Sequence, residues 1–88
     1  MASTFEVLAE PTRRSILDLL RERERSVGEL VSRLTISQPG VSKHLRVLRE
    51  AGLVEYRLRG RNKDARLRRD VVESRFPGLL DGVLRGDA

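Results

Sequence analysis

Two stretches with helical periodicity, each opened by a serine, are separated by a turn of only about three residues, and that spacing narrows the folds open to this chain. Ser26 begins Ser-Val-Gly-Glu, where the hydroxyl can accept from the Glu29 amide while the glutamate reaches back to the serine amide, a capping box. The helix it opens carries Val27, Leu30, Val31 and Leu34 on one side and is expected to end near Thr35. Thr35, Ile36 and Ser37 form the turn. Ser37 or Gln38 then caps a second helix, and Pro39 is harmless in a first turn whose amides lack partners. In that helix Val41, Leu45 and Leu48 fall at i, i+4 and i+7 as one buried stripe, and Gly52 suits a left-handed stop. The pattern is that of a helix-turn-helix.

The flanking elements follow in close order. Phe5, Val7, Leu8 and Ala9 predict a short first helix, which Pro11 ends while opening the next. From Thr12 to about Arg23, Ile16, Leu17, Leu19 and Leu20 recur at helical spacing with charges between them. Beyond Gly52, Leu53 to Leu58 alternates as a strand, Arg59-Gly60-Arg61-Asn62 supplies turn chemistry, and a weaker strand runs on through Arg68. Asp70 and Glu73 mark a further helix start, and Pro77 predicts a kink or two short helices in the apolar segment that follows. The expected fold class is α+β, mainly helical: a winged helix-turn-helix with a two-stranded β wing. One domain is expected over residues 1–88, with the helix-turn-helix at about 26–52, the wing at about 53–69 and a C-terminal segment at about 70–85. A globule of 88 residues has a thin core, so apolar surface near its ends is expected to pair with a second copy.

Charge and composition limit the partners. The formal net charge of +5 favours an anion, and nucleic acid is the first candidate. Cysteine is absent, which excludes disulfides, thiolate metal sites and thiol nucleophiles. No apolar run approaches the roughly 20 residues needed to cross a bilayer, so a cytoplasmic protein with no membrane partner is expected. Aromatic residues make up 3% of the chain, too few for the stacking platforms that hold single strands. The one histidine, His44, lacks neighbours that could share a metal, and a role in packing or a hydrogen bond is expected for it. Ser42 and His44, two apart on a helix, do not face each other, so no hydrolytic triad forms. Neither catalysis, cofactor nor metal is expected.

Steps of about 100° along the second helix place Pro39, Ser42, Lys43, Arg46 and Glu50 opposite the buried stripe. A polar, basic helix face fits the major groove, where glutamine pairs with adenine and lysine or arginine with guanine. Gln38, Ser42 and Lys43 are therefore assigned to base edges, and Ser37 and Arg46, with Pro39 beside them, to phosphate or the groove edge. Across the hairpin, Arg57, Arg59, Arg61, Lys63, Arg66, Arg68 and Arg69 face a single Asp64. Arg59, Arg61 and Lys63, with Asn62 in the turn, are assigned to phosphates or the minor groove of double-stranded DNA.

Two separated segments, Leu8-Ala9-Glu10-Pro11-Thr12-Arg13-Arg14 and the run from Ser37 to Val54 with its Ser42-Lys43-His44-Leu45 centre, resemble the ArsR/SmtB family of winged-helix repressors over about residues 5 to 69. The resemblance implies a homodimer, joined through its first and last helices, that binds an inverted repeat in its promoter, excludes polymerase sterically and is released by a signal. Phe5, Leu8, Leu79, Leu80, Val83 and Leu84 are the candidates for the subunit contact. The cysteine and histidine-carboxylate sets by which many members sense metals are missing, and no inducer can be named. Gly40 stands where a larger residue is common, and the strand Lys63–Leu67 lacks the usual aromatics, which predicts weak pairing there. The alternatives are a winged helix that grips an acidic protein partner and a nonspecific architectural DNA binder.

Overall fold

Helices and a small sheet alternate in the computed structural model, which describes residues 3–79: α1 (Thr4–Ala9), α2 (Pro11–Glu22), β1 (Arg25–Ser26), α3 (Val27–Arg33), α4 (Gln38–Glu50), β2 (Val54–Arg59), β3 (Asn62–Leu67) and α5 (Arg69–Arg75). Each of the first four helices has a side-chain cap. Ser3 and Glu6 form a complete capping box on α1, and the Glu10 carboxylate accepts from the Arg13 amide at 3.1 Å to start α2 behind Pro11. Ser26 accepts from the Glu29 amide at 3.1 Å, as expected, but the Glu29 carboxylate does not return to the serine. It binds the guanidinium groups of Arg23 and Arg25 instead, the latter at 2.7 Å, because a charged donor is the stronger partner. The box expected there is half made.

α3 ends at Arg33, and Leu34 closes it by donating to the carbonyl of Leu30 at 3.0 Å. After the turn, Ser37 caps α4 by accepting from the Gly40 amide at 3.3 Å. At the far end of α4 the Leu53 amide reaches the Leu48 carbonyl at 3.0 Å and the Gly52 amide reaches Arg49 at 2.9 Å, the paired bonds of a Schellman stop. Gly52 has φ +81°, so the stop needs a residue without a Cβ. Leu48 and Leu53, which flank the stop, are both fully buried.

The core is assembled from the expected stripes: Ile16, Leu17 and Leu20 from α2, Leu30 from α3, and Val41, Leu45 and Leu48 from α4. Val54, Ala65 and Leu67 close it from the sheet, and Val72 from α5. β3 pairs with β2 over six antiparallel positions, from Val54↔Leu67 to Arg59↔Asn62, so the strand expected to be weakly held is fully paired. The reason lies on its other edge. β1 pairs there through Arg25↔Ala65 and Ser26↔Asp64, making a three-stranded sheet of order β1-β3-β2 around the two-stranded wing. α5 stops at Arg75, before Pro77, and a turn carries the chain to Leu79, whose amide donates to Phe76 at 3.0 Å. Leu80, Val83 and Leu84 lie outside the described residues.

Arginines complete the helix C-termini. Arg13 donates to the carbonyls of Val7 at 2.6 Å and Glu6 at 3.0 Å, and Arg14 to Leu8 at 2.7 Å and Ala9 at 3.1 Å, which satisfies the end of α1. At the end of α2, Arg25 takes Leu19 at 3.0 Å and Arg69 takes Arg21. Arg75 takes Ala51 at the end of α4. Cations at these ends also complement the negative pole of each helix.

Candidate nucleic-acid interface

α4 presents two opposed faces. Val41, Leu45 and Leu48 are fully buried, while Ser37, Gln38, Pro39, Ser42, Lys43 and Arg46 are all exposed. The structure thus brings the α4 residues expected at base edges and phosphates onto one continuous face, where Glu50 is exposed as expected and Arg49, which was not assigned, is exposed beside it. Seven residues of about 100° each return Arg49 to within about 20° of Ser42, so the helical angle alone could have included it.

In the wing, strand alternation sorts the cations. Leu58 and Lys63 are opposite each other and share a face with Tyr56, whereas Arg57, Arg59, Asn62, Asp64 and Arg66 share the other. On that second face the charges are engaged: Arg57 with Glu24 at 3.7 Å, Arg59 with Asp64 at 3.3 Å and Arg66 with Glu55 at 3.4 Å. Arg68 sits 3.7 Å from Asp70. Asp64 is 2% exposed, and its Oδ1 has no hydrogen-bond partner, so Arg59 is the one cation among the described residues that meets this buried carboxylate. Gly60, with φ +60°, takes the first central position of the two-residue turn and Arg61 the second, which matches a II′ hairpin and leaves Arg61 outermost.

Among the described residues, the side chains of Arg33, Lys43, Arg46, Arg49, Arg61 and Lys63 have neither a hydrogen bond nor an ion pair. All but Arg33 belong to the outer face of α4 or the end of the wing. Lys43, Arg46, Arg49 and Lys63 line one recess of about 510 Å³ between α4 and the sheet, together with Ser42 and Tyr56 and with no carboxylate. The Tyr56 ring carries Lys63 Nζ at 4.2 Å and Arg49 Cζ at 5.5 Å from its centroid. A second recess of about 380 Å³, behind the sheet, has a different balance: its arginines are interleaved with Glu24, Glu55 and Asp70, each in an ion pair.

His44 faces away from this surface. Its Nδ1 lies 3.3 Å from Arg13 Nη1, and its Nε2 lies 3.9 Å from Glu10. Burial raises the Glu10 carboxyl, but the amides of Arg13 and Thr12 and the charge of His44 outweigh it and hold the group below its usual value. No cluster of three or more metal-binding side chains occurs among the described residues, nor any helix long and apolar enough to cross a membrane. Of the residues expected at a subunit contact, Phe5 is 84% exposed, while Leu8 and Leu79 are half-buried against the core. Leu58, on the wing, is 78% exposed.

Comparison with known proteins places this geometry in context. The family model described as "Bacterial regulatory protein, arsR family" matches residues 10–56, from the cap of α2 into β2. The chain is 30% identical to the transcriptional repressor SdpR of Bacillus subtilis, covering 99% of this chain and 97% of that protein. It is 40% identical to the transcriptional repressor SmtB homolog of Synechocystis, covering 99% of this chain and 66% of that one. It therefore spans almost the full length of the first relative and about two thirds of the second. A solution structure of a homodimeric winged helix-turn-helix DNA-binding domain from Mycobacterium bovis, a possible ArsR-family regulator, superposes with a TM-score of 0.77 at 30% identity, covering 94% of this chain and 76% of that domain.

Proposed function

The chain belongs to the arsR family of bacterial regulatory proteins, and from that premise we propose that it is a homodimeric transcriptional repressor which grips operator DNA with α4 and the wing. One observation carries the reading. Among the described residues, the cations left without a partner are concentrated on the outer face of α4 and the wing end, whereas every arginine elsewhere except Arg33 is engaged by a carbonyl or a carboxylate. Unpaired cations on one face release counterions when they meet a phosphate backbone, and paired ones do not.

In this reading Gln38, Ser42 and Lys43 touch base edges, while Ser37, Pro39, Arg46, Arg61, Asn62 and Lys63 meet the backbone or the minor groove. Two copies of α4, set about one helical turn of DNA apart, occupy an inverted repeat and exclude polymerase. Exposed Phe5 on α1 supports a subunit contact near the chain ends, where a monomer would leave that ring in water. The domain is taken to act as a single unit over residues 1–88.

The test is a competition titration at fixed ionic strength between the duplex upstream of the protein's own gene and its shuffled counterpart. The native duplex is expected to win by about 10³-fold or more, and Lys43→Ala to narrow that margin by about 10-fold. Equal affinity for native and shuffled duplexes would overturn sequence-specific repression.

A further inference from the structure

The geometry points to a built phosphate seat in the recess between α4 and the sheet, with Arg49 and Lys63 as its ligands and the Tyr56 ring as its floor, taking one backbone phosphodiester of duplex DNA in each half-site. The inference rests on the DNA-binding reading above and adds Arg49 and Tyr56 to it.

Three observations converge. Arg49 comes from the last turn of α4 and Lys63 from the start of β3, yet both cations lie over one aromatic ring, Lys63 Nζ at 4.2 Å and Arg49 Cζ at 5.5 Å from its centroid. Two like charges held on one ring repel, and no carboxylate lines the recess to relieve them, whereas the arginine recess behind the sheet has three. Neither cation spends a hydrogen bond within the described residues, so the guanidinium fork and the ammonium keep their donors for an incoming anion. Tyr56, half-buried and packed on the core, offers its ring to both cations without neutralising either. A tetrahedral anion with two free oxygens, one for the guanidinium fork and one for the ammonium, fits this arrangement.

The seat joins the two DNA-facing elements. A phosphate lodged there fixes the spacing between α4 and the wing, so its effect falls on affinity and not on the choice of base, which belongs to the earlier part of α4. The backbone is favoured over a free phosphate because the recess opens between Ser42 and Lys43, assigned to the groove, and Lys63, assigned to the wing contact.

The experiment scans the operator with single methylphosphonate substitutions and measures dissociation constants by fluorescence anisotropy for the wild-type dimer, Arg49→Gln, Tyr56→Phe and Tyr56→Leu. One backbone position per half-site is expected to cost the wild type about 10-fold when its charge is removed, and that penalty should vanish in Arg49→Gln. Tyr56→Phe should retain it, since the ring is kept, and Tyr56→Leu should lose most of it. The preference for native over shuffled duplex should be unchanged in all three. If the wild type binds the operator but no position shows a penalty that depends on Arg49, the seat is overturned while DNA recognition stands. If the wild type binds no duplex, both readings fall. Inorganic phosphate is added at constant ionic strength as the remaining arm: competition that depends on Arg49, without coupling to any single backbone position, would assign the recess to a free anion and overturn the duplex assignment.

Discussion

Arg59 and Arg61 flank the same glycine at the wing tip, and a substitution at each separates two kinds of exposed arginine. Arg61 has no partner among the described residues, whereas Arg59 lies 3.3 Å from the Asp64 carboxylate, which is almost fully buried. Each cation that neutralises a phosphate contributes about 0.9 to the slope of log affinity against log salt. A homodimer carries every substitution twice, so Arg61→Ala should lower the magnitude of that slope by about 1.8. Between about 50 and 200 mM salt, a fourfold change, the weakening of binding should then shrink by roughly 10-fold relative to the wild type. Arg59→Ala should leave the slope nearly unchanged, because that guanidinium is already neutralised by a carboxylate of the same sheet. Asp64→Asn should do the opposite of Arg61→Ala, freeing Arg59 and steepening the slope by up to about 1.8. The assay is anisotropy with an operator duplex over that salt range. Equal loss of slope in Arg59→Ala and Arg61→Ala would refute the distinction, and with it the claim that internal pairing decides which wing cations meet DNA.

Further outcomes follow from the fold. Leu45→Ala, at a fully buried position on the inner face of α4, should cost about 3 kcal/mol and lower the calorimetric midpoint by roughly 15 °C. Gly40→Ala should stabilise by about 0.5 kcal/mol, since a Cβ there meets Ser37 Oγ at 3.5 Å and Ile36 at 3.7 Å, ordinary contacts, and removes a helical glycine; a lowered melting midpoint would contradict this. Burial raises the Glu29 carboxyl, but its hydrogen bonds and charge contacts with Arg23 and Arg25 outweigh that and hold it below 4.5. Its contribution to stability is therefore complete above pH 4.5 and lost as pH falls through the folded-state value. Urea midpoints measured against pH should fall less steeply for Glu29→Gln than for the wild type in that acid window, and parallel curves would contradict the assignment.

The helices were legible because their signals are local. The Val41, Leu45, Leu48 stripe, the serine caps and Gly52 each act within one or two turns, and the structure uses all of them. β1 was not legible: two residues cannot display an alternation, and Arg25 at a buried strand position reads as a solvent residue until its partners are known. Those partners, the carboxylates of Glu22 at 2.6 Å and Glu29 at 2.7 Å and the carbonyl of Leu19, are set by how α2 meets α3. The same pairing explains why the capping box at Ser26 is only half formed. In the wing the sequence displayed a basic segment but not its division. Only the register of β2 on β3 shows that Arg57 and Arg59 face back toward Glu24 and Asp64 while Lys63 faces α4. Arg49 was available from the helical angle, and Tyr56 as its companion required the hairpin to be placed against α4.

The two arginines at either end of α5 make that short helix a strut. Arg69 grips the last turn of α2 and Arg75 the closing residue of α4, so a sideways or axial slip of α5 must tear both grips or drag their owners along. α5 thereby ties the last turn of α2 to the closing residue of α4, the helix proposed to meet DNA, while its buried Val72 anchors the same strut in the core.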